Sequence, residues 1–357
     1  MEYCHSVNVL LEAIAYMGRK STGNTWERME EQIGKKGMEP SPVFQESIRF
    51  LKEITLRLDT VSVPEDVQPL FENLEGFPRN TIGSASKAFF MLYGFLETFH
   101  GDFSALVLRA REMTRRERAY HLALALDMAE ECAPETMDDD TFMRMVLSLS
   151  IPDTAKIAIM ETYRDFPALM ERLSGFMTKL LQAVQGELTH IQKLCQILRQ
   201  KMDAEGCASY LSRTSSFTPA QNVQYRLRPF VFGMDTDLTT ECDDNWVCMY
   251  CGVLREELLA MLSTLRSTRD KVFDAFKLLG DRTRFELVCY LSDHSAYGQE
   301  LSQRFDLSRN TIHHHMSKLS ECGLVRCTAD GNRVYYTLNK NRIRQLLDFQ
   351  RELLYKE

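Results

Sequence analysis

The chain has 357 residues, 44% hydrophobic and 26% charged, with few Gly and Pro, which suits two or three globular domains and excludes a disordered or fibrous chain. No run of eighteen apolar residues occurs, and Met1-Glu2-Tyr3-Cys4-His5-Ser6 lacks the basic and apolar blocks of a secretory signal, so neither a membrane span nor export is expected. The net charge of −7 is unevenly spread: residues 267–357 hold 15 Lys/Arg against 12 Asp/Glu and four His, while the remaining 266 residues hold 28 against 38.

Up to about residue 205 apolar residues recur at three- and four-residue spacing, the signature of helices. Val7, Leu10, Leu11, Ile14 and Met17 form one stripe. Val43, Phe44, Ile48, Leu51, Ile54 and Leu58 form another, opened by Ser41-Pro42, a capping residue followed by proline at the first helical position. Further helices are expected at 85–99, 114–131, 139–150 and 153–163, and one long helix from Pro167 to Ala204. Breaks fall at Pro78, Gly101, Pro134 and Pro152. Asp138-Asp139-Asp140 opens a helix, where carboxylates favour the positive end of the dipole. The 18 Met sit mostly on the stripes and read as adaptable core, with a Met-lined ligand cavity as the alternative.

After Gly206 the pattern changes to Ser/Thr clusters and short β-prone runs, Val223–Tyr225, Phe230–Phe232 and Trp246–Tyr250, followed by a helix from Leu254 to Arg266. The ten cysteines have no framework spacing, and without an export signal reduced thiols in a cytoplasm are expected. Cys242, Cys248 and Cys251 are the only cluster. A zinc site wants four ligands, so buried structural thiols are the plainer account, and redox or metal sensing is the alternative. No metal and no cofactor is expected, and no catalytic motif is present.

The last ninety residues alternate helix signals with one hairpin. Asp270–Leu279 is amphipathic and ends at Gly280; Asp281 caps Arg282–Leu291; Gly298–Phe305 leads to the turn Asp306-Leu307. Ser308 caps a helix that runs to Cys322 and stops at Gly323. Leu324–Thr328 and Arg333–Leu338 alternate as strands around Ala329-Asp330-Gly331-Asn332, a hairpin signal, and Asn339 caps a last helix to Tyr355. At about 100° per residue, Ile312, Met316 and Leu319 share one side of the Ser308-capped helix, while Asn310, His313, His314 and Ser317 point the other way with Thr311 and Lys318 at the flank. Such a polar face suits the major groove, and the helix start, Ser308 and Arg309, favours phosphate. Arg326, Asn332 and Arg333 on the hairpin are candidate backbone or minor-groove contacts. Three successive histidines diverge by about 100° each and cannot share one ion; His315 is expected half-buried with a hydrogen bond.

This stretch resembles the ArsR (arsenic-repressor-like) winged-helix regulators. The residues that carry the likeness are Phe276–Arg284, Glu300-Leu301-Ser302, Leu307-Ser308, Thr311–Leu319, Gly323-Leu324-Val325 and the wing Asp330–Leu338. Where that family has Ser-x-His-Leu, this chain has His313-His314-His315-Met316, which puts the family histidine on His315 and leaves base preference open. The resemblance implies a homodimer built through the first and last helices of the domain, with Val272, Phe273, Phe276, Ile343, Leu346, Leu347, Leu353 and Leu354 as candidate interface residues. The metal-ligand cysteines of sensor relatives fall on Tyr297 and Gln299, and residues 339–357 hold no histidine, which disfavours a metal sensor of that type.

The expected fold is mainly α: a large helical domain over 1–205 that receives a signal, a strand-rich segment over 206–266 and a winged helix-turn-helix over 267–357. The function implied is a cytoplasmic regulator, expected to repress, that binds double-stranded DNA and answers to an unknown ligand or protein effector. The alternative is an enzyme or scaffold that uses the winged helix for protein contact.

Overall fold

The computed structural model describes residues 1–35, 38–77, 85–126, 136–215, 217–219, 223–241, 246–265, 268–330 and 333–354. The chain divides into two units, Met1–Ala204 with Tyr225–Glu257 and Glu205–Gln224 with Leu258–Glu357. The expected segment 206–266 is therefore shared: its central strands belong to the first unit and both its ends to the second. Among the described residues no helix is long and apolar enough to cross a membrane.

The first unit is a helical body carrying a four-stranded sheet. Its helix Val9–Thr22 differs from the expected half-buried stripe, because every residue from Leu10 to Arg19 is buried. Two of these are charged, and the turn after strand Gln224–Phe230 explains them. Glu12 accepts the Val231 and Phe232 amides at 2.8 Å each. Arg19 donates to the Phe232 carbonyl and to Asp235 and stacks over Trp26 at 4.2 Å. A turn leaving a sheet has backbone groups without ladder partners, and here two helix side chains satisfy them. Phe230–Phe232 is accordingly not a separate strand: Phe230 ends the first strand and Val231 begins the turn.

In that sheet the strand order is Glu2–Tyr3, Gln224–Phe230, Trp246–Gly252, Asp237–Glu241. The outer pairs are parallel at Glu2↔Arg226 and antiparallel at Thr240↔Cys248. The long helix expected over 167–204 is two, Phe166–Gly186 and Leu188–Glu205. Gly186 has low helix propensity, and Glu187 at the joint binds Arg57 and His190. Trp26–Lys35, Phe103–Glu112 and Cys207–Thr214 are helices that the apolar spacing did not single out. Asp138 caps Asp139–Ser148 through the Thr141 amide at 2.7 Å, as the acidic run implied.

The second unit contains helices Thr268–Leu279, Arg282–Tyr290, Gly298–Phe305, Arg309–Glu321 and Lys340–Leu354, with the hairpin Val325–Asp330 and Arg333–Leu338. Its sheet runs Phe217–Pro219, Val325–Asp330, Arg333–Leu338, Ala296–Tyr297. The first pair is parallel, so a segment from a hundred residues upstream covers one edge of the hairpin. The hairpin strands pair from Val325↔Leu338 to Asp330↔Arg333. Ala329 and Asp330 are thus strand rather than turn.

Two buried groups make the first unit's stability depend on pH in opposite senses. Burial pushes the Glu12 carboxyl from 4.5 up to about 7, against the amides and Arg19 that favour its ion. Burial pushes His121 from 6.5 down to about 4; its ring lies against Phe95 and Phe166 and its Nε2 meets the Met91 carbonyl at 2.8 Å. Neutral His121 is favoured by folding, so its contribution is complete above pH 6.5 and lost as pH falls through 4. Protonated Glu12 is favoured by folding, so its contribution is complete below pH 4.5 and lost as pH rises through 7. In urea unfolding, the stability advantage of the parent over His121→Leu is expected to shrink toward acid. That over Glu12→Gln is expected to shrink toward alkali. A pH-independent difference for either variant would contradict its assignment.

Candidate nucleic-acid interface

Two helices joined by a tight turn make the core of the site. Gly298–Phe305 starts with the Glu300 carboxylate accepting the Tyr297 amide at 3.1 Å. It ends at Asp306, whose φ of 51° is left-handed, a conformation that Asp tolerates better than branched residues do. The Ser302 hydroxyl donates to the Leu307 carbonyl at 2.6 Å and the Leu307 amide returns to Ser302 at 3.1 Å. These bonds fix the angle at which the next helix leaves. Ser308 caps that helix, Arg309–Glu321, by accepting the Thr311 amide at 3.1 Å. Gly323, with φ of 70°, ends the connection after it.

Ile312, Met316 and Leu319 are each 0% exposed and belong to the core of this unit with Leu287, Leu301 and Leu324. The opposite side carries His313 and His314, both exposed, with Thr311, Ser317, Lys318 and Arg309 half-buried. Lys318 pairs with Glu321 at 3.2 Å, a surface ion pair of about 0–1 kcal/mol that a phosphate can displace. Asn310 lies on the helix backbone, but its side chain is outside the described residues, as is that of Arg333. Asn332 lies outside them altogether. Arg326 is exposed on the hairpin strand opposite Thr337. Asn339 accepts the Arg342 amide at 3.2 Å and donates to the Gly323 carbonyl at 3.0 Å, so it ties the start of the last helix to the end of the polar one.

His315 is half-buried as expected, and its Nδ1 is buried with no hydrogen-bond partner among the described residues. Desolvation lowers its pKa, against the pull of Asp281. Tyr297 packs edge-on to Tyr335 at 5.5 Å, and Gln299 is half-buried beside it in sequence. Among the described residues no three His, Cys, Asp or Glu side chains are grouped to hold a metal. The cysteine cluster departs from the expected reduced thiols. Cys248 is disulfide-bonded, Cys251 is a buried thiol outside any disulfide that donates to the Met249 carbonyl at 3.8 Å, and Cys242 lies outside the described residues.

Helices Thr268–Leu279 and Lys340–Leu354 pack on each other, and the candidate dimer residues separate into two sets. Val272 and Leu346 are buried in the core of the unit and Ile343 packs against it. Phe273 (65%), Phe276, Leu347 and Leu354 are exposed on these two helices. The Leu353 side chain is outside the described residues. Phe285, 52% exposed on Arg282–Tyr290, joins the exposed set. Phe285 lies two residues before the buried Leu287, about 200° round the helix, and that opposite placement was the available signal.

The family model for bacterial regulatory proteins of the arsR family matches residues 281–326. The HTH-type transcriptional regulator KmtR of Mycobacterium tuberculosis is 30% identical over 76 residues, 21% of this chain and 58% of KmtR. The arsenical resistance operon repressor of Staphylococcus aureus is 36% identical over 63 residues, 18% of this chain and 61% of the repressor. The transcriptional activator HlyU of Vibrio cholerae is 25% identical over 92 residues, 26% of this chain and 85% of HlyU. The solved structure of reduced HlyU covers 24% of this chain and 90% of its own at 26% identity, with a TM-score of 0.20. This chain thus spans about three fifths of KmtR and of the arsenical repressor, and the likeness to these relatives falls in the C-terminal region. Residues 281–326, which include the helix-turn-helix, match the arsR family of bacterial regulatory proteins.

Proposed function

We propose that this protein is a sequence-specific transcriptional regulator that binds double-stranded DNA as a homodimer. The observation that carries this is the division of helix Arg309–Glu321 into a wholly buried side, Ile312, Met316 and Leu319, and a polar side with exposed His313 and His314. A helix held that way offers Asn, His, Ser and Thr groups to base edges, while Lys318, Arg309 and the hairpin arginines meet phosphates. The exposed Phe273, Phe276, Leu347 and Leu354 support pairing of two copies, which would set two recognition helices about one DNA turn, roughly 34–36 Å, apart.

The names of the relatives carry both signs, repressor and activator. Repression is the reading adopted, because occupancy of the duplex by itself excludes another protein and needs no further contact. A reader of chromosomal DNA works in the cytoplasm. The helical unit is assigned the receiving role: an effector that favours one spacing of the recognition helices tenfold shifts occupancy by about 1.4 kcal/mol.

Selection of duplexes from a random pool with full-length protein is expected to return two related half-sites. Recovery of unenriched DNA would sink the reading and leave protein contact as the use of the winged helix. Arg326→Ala or Arg333→Ala should weaken operator and random DNA alike and flatten the log–log salt slope by about 1; an unchanged slope would remove the hairpin from the interface. Asn310→Ala or His314→Ala should alter the selected sequence, with losses at the affected base pair of about 1–3 kcal/mol. Identical selection profiles would count against base reading. The pair Phe273→Glu and Leu347→Glu should sediment as a monomer and lose tight operator binding; a persistent dimer would place the interface elsewhere.

A further inference from the structure

The first unit contains a cavity of about 370 Å³ lined by Asn8, Glu97, His100, Gln185 and Arg228 among apolar Val7, Val9 and Leu96. That volume lies in the range of small-ligand sites, about 300–1,000 Å³. Its two ionic side chains are held apart rather than paired. Glu97 is fixed by the Thr240 hydroxyl at 2.6 Å and the Tyr250 hydroxyl at 2.5 Å, both on Oε1. Tyr250 is oriented in turn by the Asn8 amide at 2.8 Å. Oε2 of Glu97 is used by neither bond. Arg228 Nε is buried with no hydrogen-bond partner among the described residues, and no ion pair joins Arg228 to Glu97 there.

Nε itself is closed off from the cavity, and the rest of the guanidinium makes no hydrogen bond or ion pair among the described residues, so its charge is left to solvent or to a molecule in the cavity. The wall around it is positive for a second reason. Val7 and Asn8 bring the start of helix Val9–Thr22 to the cavity. Asn8 satisfies the Leu11 amide at 3.1 Å, and the first helical amides have no acceptor within the helix. A fixed carboxylate and an unsatisfied guanidinium lining one pocket are complementary to a molecule that carries both opposite charges. A simple anion would leave Glu97 facing it, and a simple cation would leave Arg228 unpaired.

We propose that this cavity binds a small zwitterion of the free amino-acid type. Its carboxylate meets Arg228 and the helix start, its ammonium meets Glu97 Oε2, and its side chain lies against Val7, Val9 and Leu96. Binding is read with no DNA present, so this inference and the DNA-binding reading fail independently.

The test is thermal unfolding of the full chain with each of the free L-amino acids at millimolar concentration. The corresponding carboxylates without the amine, and amines without the carboxylate, are run alongside. At least one amino acid is expected to raise the midpoint by a few degrees, with neither half-molecule doing so. Glu97→Gln keeps an acceptor for Thr240 and Tyr250 and is expected to fold and to bind the same amino acid at least tenfold more weakly. Arg228→Gln should do the same, with its circular dichroism spectrum checked first; if it does not fold, Glu97→Gln decides. No shift with any amino acid, an equal shift with the bare carboxylate, or parental affinity in Glu97→Gln would each overturn the proposal.

Discussion

Three side chains, Ile312, Met316 and Leu319, set the orientation of the helix on which the proposed function depends. Each is fully buried, and burial of such a side chain stabilises by roughly 1.5–3 kcal/mol. Their shared direction matters more than their sum. A helix anchored along one line cannot roll, because a roll of one residue, about 100°, would bring a histidine into the core and an apolar side chain into water. The Ser308 cap fixes where the helix begins, and the left-handed Asp306 fixes the angle of approach. Pre-organisation of this kind lets a short polar face act as a reader without first paying to become ordered.

The first unit uses buried charge for a comparable purpose. Glu12 and Arg19 lie on a helix that is buried along ten residues, a setting where unpaired ions would be destabilising. Each is instead bonded to the turn Val231–Asp235, which would otherwise bring unsatisfied amides and carbonyls into the interior. Asn8, at the start of the same helix, links by hydrogen bonds to Leu96 and Tyr250. One helix therefore holds a turn through Glu12 in its first turn and Arg19 in its last, and a polar network at its cap. That network reaches Glu97 through Tyr250, so the charge pattern of the cavity is fixed by the same scaffold that fixes the fold.

The C-terminal unit was legible because its signals are local. Asp281, Ser308 and Asn339 cap helices through contacts three residues away, Gly323 takes the left-handed conformation, and the polar and apolar faces of one helix separate at the helical period. What the sequence did not disclose depends on distant partners. Strand Asp237–Glu241 contains Asp, Glu and Thr and gains its identity only by pairing with Trp246–Gly252. Glu2–Tyr3 is too short to show alternation. The burial of Glu12 and Arg19 could not be read from a stripe pattern, since their acceptors and donors lie more than two hundred positions away. The resemblance made Val272 and Leu346 interface candidates, yet two helices packed together each use one apolar line on the other. The share left over for a partner was visible only in the fold.

The strand Phe217–Pro219 runs alongside Val325–Asp330 in the sheet of the second unit, although the chain between them passes through the first. The winged helix-turn-helix is therefore discontinuous in sequence, and no single cut releases it whole. A fragment beginning after residue 257 would uncover the backbone edge of Val325–Asp330, and exposed edges of that kind invite pairing with other chains. During synthesis the same strand emerges about a hundred residues before its neighbour. It must wait for Val325–Asp330 to be made, so the hairpin sheet can close only after the strands Glu2–Tyr3, Gln224–Phe230, Asp237–Glu241 and Trp246–Gly252 of the first unit have been made.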